Sequence, residues 1–251
     1  MEMMIYAILS LKNYSGNLNA LLVNMQDNDG MNLEAVSFDG IAAVVSNIEK
    51  TSVIADKSNA IAYAGVIETL MPYFTLLPMR YGSIMESTVM IEKMLERNHD
   101  EMQQILEKVE NKFEFGLKIF CDSEKLRSEL SIKMQEDTIA PTNHSTETIN
   151  SVFREYVNKK LKEHRLEELM LTYVDSVAAG INEYLDRWNA ISKFKKMSTA
   201  ANIIDAVFLL DKDKKEALIR AVEDLQKQHA SLTFILTGPW PPYNFVDFTI
   251  K

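Results

Sequence analysis

NIIDAVFLLDKDKKEALIRAVEDLQKQHASLTFILTGPWPPYNFV, Asn202 to Val246, is the stretch whose reading decides the fold. Its first ten residues form an apolar run ending in Leu-Leu-Asp, as a strand does. Lys214 to Ala230 then sets apolar residues at helical spacing between charges, and Ser231 to Thr237 returns as a strand. Strand, helix, strand is the closing part of a βαββαβ order. Working backwards, ISKFKKM (191–197) supplies the strand before it, SEKLRSELSIKMQE (123–136) a helix, and FEFGLKIF (113–120) the first strand.

Between that first helix and Ile191 lie a polar break, DTIAPTNHST (137–146), and a long helical region with two apolar stripes. One contains Ile149, Val152, Phe153, Tyr156 and Val157. The other, Leu166, Met170, Tyr173, Val177, Ile181, Tyr184 and Trp188, steps by four and three as a helix-packing seam does. Two extra helices, an inserted hairpin over about residues 146–188, are expected. Residues 111–251 therefore read as a ferredoxin-like (βαββαβ) domain with a helical insertion.

The first half follows a looser version of the same order and is read as a smaller α+β sheet domain, residues 1–110. MMIYAILSL opens it as a strand, NYSGN turns, and only NLNALLVNM (17–25) is available for a first helix. LEAVSFD and IAAVVSNI flank Asp39-Gly40, a strong hairpin signal. A helix follows from about Ser58, with Ile61, Ala62, Val66, Ile67, Leu70 and Met71 on one face and Pro72 at its end. FTLLPMRYGSIM reads as one returning strand, with Pro78 pointing to an edge or a bulge. From Ser87 to Asn111, Ile91, Met94, Leu95, Met102, Ile105, Leu106 and Val109 make a long amphipathic helix that leads into the second domain.

Composition narrows the function. With 251 residues, 47% of them hydrophobic, the chain has ample material for a core. A net charge of -9 argues against a surface that tracks phosphates, so no nucleic acid is expected. Cys121 is the one cysteine, which excludes an internal disulfide and fits a reducing cytoplasm. No run approaches the roughly 18 apolar residues of a membrane span. The eight glycines stand apart, which excludes dinucleotide and P-loop motifs, and no serine sits in a nucleophile elbow. Glu96 and His99 make a single E-x-x-H, whereas a di-iron bundle needs two. No catalytic, cofactor-binding or metal residues are assigned, and the chain is read as not an enzyme.

Two motifs remain. LPMRYGSI and LTGPWPPYNFV each follow or complete the last strand of their half. In the first, alternation points Arg80 away from Met79 and Tyr81, toward a buried carboxylate or carbonyls, or toward a partner. In the second, Gly238 permits a sharp turn and Pro239, Pro241 and Pro242 stiffen a rim that displays Trp240 and Tyr243. The rim either holds a partner or packs on the protein's own helices to lock the C-terminus.

At these residues the sequence resembles the GvpL/GvpF family of gas vesicle proteins. The block from Gly238 to Tyr243 matches that family's C-terminal signature LTGPWPPYSFV, with Asn244 where serine is usual. Leu77, Pro78, Arg80, Tyr81 and Gly82 are similar to its LP-x-R-F-G-T block, with Tyr81 and Ser83 as departures. Glu114, Gly116 and Lys118 match its E-W-G-V-K-V strand, Phe115 replacing tryptophan. The resemblance runs from the first strand to the last. It implies an accessory or minor structural protein of gas vesicle assembly, without catalytic activity or cofactor, acting with the small apolar shell protein and other accessory proteins. It also implies a cytoplasmic protein associated with the vesicle. Two other readings stay open: a small-molecule-binding or enzymatic ferredoxin-like domain with a pocket around Arg80 and Lys118, and a P-x-x-P ligand at Pro239 and Pro242.

Overall fold

The structure is a computed structural model that describes residues 2–26, 32–48, 57–136, 151–188, 190–196 and 202–248. The expected break at 137–146 lies outside them. Two compact units are present: one comprises Met1–Phe115, Leu209–Lys212 and Gly238–Lys251, the other Gly116–Phe208 and Asp213–Thr237. Six α-helices and two antiparallel sheets make up the described residues.

The first sheet begins with β1 (Glu2–Ser10), followed by α1 (Leu18–Gln26), β2 (Leu33–Phe38) and β3 (Ile41–Ile48). Then come α2 (Lys57–Leu70), β4 (Leu76–Pro78), β5 (Ile84–Met85) and α3 (Thr88–Val109). The strand order is β2-β3-β1-β4, with β5 also on β1. Asp39 and Gly40 join β2 to β3, Phe38 facing Ile41 across the ladder. Both turn residues have positive φ, 34° at Asp39 and 80° at Gly40, the backbone of a two-residue hairpin that glycine adopts without strain.

β1 is not a regular strand. Ile5 faces Val45 and Ala7 faces Val44, so Tyr6 is an extra residue, a β-bulge, against β3. Side-chain parity reverses there. Met4 and Tyr6 precede the bulge and Ala7, Leu9 and Leu11 follow it, yet all belong to the core formed with Leu22 of α1 and Val66, Ile67 and Leu70 of α2. The odd residue keeps Met4, Tyr6, Ala7, Leu9 and Leu11 directed at one layer of helices. Met3, Ile5 and Ile8 are equally buried.

The buried stripe of α2 is Tyr63, Val66, Ile67 and Leu70. Ile61, expected in it, is 62% exposed, because the i, i+3, i+4, i+7 set is anchored on Tyr63. The expected strand FTLLPMRYGSIM is also corrected. Pro78 has no N–H to continue a ladder, Met79 N donates to Tyr6 O, and Arg80 to Ser83 closes a turn with Gly82 at φ 84°. The segment is therefore two short strands, β4 and β5, both on β1. In α3, Ser87 caps the N-terminus by accepting from Met90 N. Asn98 fills the gap in its apolar stripe, its amide donating to Met94 O at 2.7 Å. At the next residue, His99 Nε2 donates to the Asp39 carbonyl at 2.9 Å and ties the helix to the hairpin tip.

The second sheet contains β6 (Lys112–Cys121), β7 (Ile191–Lys196), β8 (Asn202–Asp211) and β9 (Leu232–Trp240). Their order is β7-β8-β6-β9, so each sheet is arranged second, third, first, fourth. Its helices are α4 (Ser123–Glu136), α5 (Ser151–Arg187) and α6 (Lys215–Gln228). The inserted hairpin is corrected: Val152 to Val157 of the first stripe and Leu166 to Tyr184 of the second lie on α5, one helix of 37 residues, while Ile149 lies outside the described residues. Asn158 to Arg165 contains neither glycine nor proline, so nothing there stops the helix. The second stripe is the buried one, with Leu166 packed on Leu126 and Leu130 of α4.

Gly40→Ala forces a side chain into a left-handed backbone and is expected to cost about 1–2 kcal/mol, read as a lower urea midpoint with unchanged slope. His99 makes a second prediction. Its bond to the Asp39 carbonyl holds the imidazole pKa above the ordinary value, ahead of a smaller opposing effect of burial. The stabilisation from its charged form is fully present below the unfolded histidine pKa of about 6.5 and is lost as pH rises through the higher folded value. Urea midpoints measured through that window should fall more steeply for wild type than for His99→Asn.

Candidate functional site

β9 continues through Gly238 and Pro239 to Trp240, so the strand reaches further than Thr237. Gly238 sits at φ 114°, and a Cβ on it would lie 2.8 Å from the Glu114 carbonyl and 3.0 Å from the Phe115 ring. No other residue fits there. Beyond Trp240 the chain doubles back, Tyr243 N donating to Pro241 O and Phe245 N to Pro242 O. Pro241, Pro242 and Phe245 are buried, whereas Trp240 is 40% and Tyr243 41% exposed. The block is thus both a lock and a display. A P-x-x-P ligand is disfavoured by this geometry, since Pro242 is buried and the backbone turns instead of extending.

Glu114 fixes the block from below. It is only 3% exposed, and its two carboxylate oxygens accept from Asn244, one from the backbone N–H at 2.8 Å and the other from the side-chain amide at 2.6 Å. The side-chain amide of Asn244 is thus a second donor beside its backbone N–H. The nearby Tyr243 phenol is pushed up to about 12, chiefly by burial and then by the carboxylates of Glu68 and Glu114.

The first motif converges on Tyr63. Its hydroxyl lies 2.9 Å from the carbonyls of Ile5 and Met79 and 3.3 Å from those of Tyr6 and Arg80, so one proton is shared between β1 and the segment after β4. Burial raises its pKa, and the neighbouring Tyr243 raises it further. The ring stacks on Tyr6 at 4.9 Å and receives Tyr81 edge-on at 5.2 Å. Leu77 and Pro78 are buried, while Gly82 forms the exposed turn. Arg80 is exposed as well, and no ion pair among the described residues includes it, which corrects the alternative of a buried carboxylate partner. Both motifs, with Glu114, are therefore gathered around Tyr63 and Tyr243 in the first unit.

Gly116 and Lys118 belong to the second unit. A Cβ on Gly116 would come within 2.7 Å of Thr237 Oγ1, and Lys118 is exposed, 3.6 Å from the Asp205 carboxylate. Neither Arg80 nor Lys118 lines the two clefts of about 350 and 300 Å³ in the first unit, which are walled by residues such as Lys12, Glu107, Glu110 and Lys212. Cys121 is a free, half-buried thiol held above its ordinary pKa by burial. Among the described residues no three His, Cys, Asp or Glu side chains are grouped as metal ligands, and no helix is long and apolar enough to cross a membrane. Tyr63 and Asn244 are the members of the site that sequence reasoning missed. The signal for Tyr63 was its place in the i, i+3, i+4, i+7 set of α2.

Glu114→Gln retains the shape but replaces a charged acceptor pair by one carbonyl and an amide that faces donors. A loss of about 1.5–3 kcal/mol in urea denaturation is expected.

The profile of gas vesicle synthesis protein GvpL/GvpF matches residues 3–247. Gas vesicle protein F1 of Halobacterium salinarum is 24% identical over 219 residues, 86% of this chain and 81% of that protein. Gas vesicle protein L of a Streptomyces species is 22% identical over 211 residues, 81% and 74% of the two chains. The crystal structure of GvpF from Anabaena sp. PCC7120 superposes with a TM-score of 0.71 at 19% identity, covering 99% of each chain. That of GvpF from Microcystis aeruginosa gives 0.70 at 19% identity, covering 98% and 99%.

Proposed function

This chain belongs to the GvpL/GvpF family of gas vesicle synthesis proteins, and from that premise we propose that it assists gas vesicle assembly by holding the small apolar shell protein on the rim of Trp240 and Tyr243. The observation that carries the reading is the exposure of two aromatic rings on a backbone that is otherwise pinned. Pro241, Pro242 and Phe245 are buried, Glu114 grips Asn244, and Gly238 is seated against Glu114 and Phe115. Large rings that are already immobile lose little entropy when they meet an apolar surface. A shell protein prone to self-association needs such a surface to cover it until it is incorporated.

The reading involves no catalytic step. The carboxylate of Glu114 is engaged by Asn244, and burial pushes the Cys121 thiol above its ordinary pKa. The protein would work inside the cell at the growing vesicle, together with other accessory proteins. The second-third-first-fourth order of both sheets supports reading each half as a ferredoxin-like βαββαβ layer, the second enlarged by α5.

The test is capture of the co-expressed shell protein by wild type and by Trp240→Ala. The substitution is at a half-exposed position and should leave the circular dichroism spectrum unchanged. Loss of a central aromatic contact worth about 2 kcal/mol lowers capture roughly thirtyfold. If the folded variant captures as much as wild type, the rim is not the contact. If wild type captures nothing, direct binding to the shell protein is abandoned.

A further inference from the structure

Among the described residues, the face of α5 that begins at Tyr156 and Val157 is left open. No residue from Tyr156 to Arg165 is buried, and Tyr156, Leu161 and Leu171 are 59%, 63% and 61% exposed. Val157, Leu161, His164, Glu168, Leu171 and Asp175 step by four and three. They form a second seam on the side of the helix opposite Leu166, which is packed on α4.

Charge along α5 is segregated. From Arg154 to Arg165 there are five basic and two acidic residues, whereas Leu166 to Asp186 carries five acidic and no basic ones. A parallel copy would set like charges side by side. An antiparallel copy would set the basic half of each helix on the acidic half of the other. The apolar residues fit the same arrangement. Leu161 stands five residues before Leu166 and Leu171 five after it, while His164 and Glu168 stand two before and two after. A two-fold axis at the level of Leu166 therefore brings Leu161 onto Leu171 and His164 onto Glu168, each contact made twice.

We infer that the outer seam of α5 is a self-association surface, which pairs antiparallel with α5 of a second copy of this chain. The pairing exchanges the intrahelical His164–Glu168 contact at 3.5 Å for the same contact between helices. The seam from Val157 to Asp175 is about 27 Å long, a single helix pair. That is less surface than the roughly 1,200–2,000 Å² of a standard stable interface, so the dimer is expected to be weak and reversible. This inference is independent of the aromatic rim, which lies in the other unit.

Sedimentation equilibrium of the full chain over a wide concentration range tests it. Wild type should show a monomer–dimer equilibrium that weakens as salt rises. Two exposed double variants follow, K160E/R165E and E167K/E168K, with helix content checked by circular dichroism. Each alone should dimerise at least tenfold more weakly, and an equimolar mixture of the two should recover dimer. Monomeric wild type at every concentration would overturn the inference. So would undiminished dimerisation of both variants, or a mixture that stays monomeric.

Discussion

A carboxylate placed in a protein interior has to be given hydrogen-bond donors, and at Glu114 the donors come from 130 residues away. Asn244 supplies two, one from its backbone and one from its side chain. That pair settles where the C-terminal segment must run. With Asn244 held, Phe245 is buried on one side of it, and Pro241 and Pro242 are seated on the other. Trp240 and Tyr243 are left with faces in solvent because the intervening residues have been taken inward. Gly238 is the geometric partner of the clamp: the strand passes so near the Glu114 carbonyl that a methyl group would not fit. The display of the rings is thus a consequence of burying their neighbours.

Much of the order of elements was legible because the local signals agreed with the global arrangement. Asp39-Gly40 asks for two positive φ angles and the hairpin provides them; Ser87 and Pro72 mark helix ends by the hydrogen bonds they make or lack. The failures have physical causes too. In α2 the face was placed around Ile61 by hydrophobicity, whereas the phenol of Tyr63 is buried because four carbonyls surround its hydroxyl. In LPMRYGSIM the missing N–H of Pro78 and the turn at Gly82 divide what periodicity reads as one strand. In α5 two phase-shifted stripes suggested two helices, but a change of phase alone does not break a backbone that has no glycine or proline to break it. No single-residue signal marked Asn244, since its role exists only in combination with Glu114.

The two surfaces proposed here differ in kind. The rim is small and aromatic, on a backbone held by buried neighbours, and suits an apolar partner. The outer seam of α5 is long and charge-patterned, and its only stated partner is a copy of itself.

The bulge at Tyr6 makes β1 a strand written in two reading frames. Residues before it and after it address the same helix layer with opposite parity, so the usual rule that every second residue is interchangeable in character holds only within each segment. A one-residue deletion close to Tyr6 would leave the hydrogen-bonded ladder more regular than it now is, yet turn the outer segment over and put its apolar side chains on the wrong layer. Variation along this strand is therefore constrained less by which residue occurs than by how many precede it.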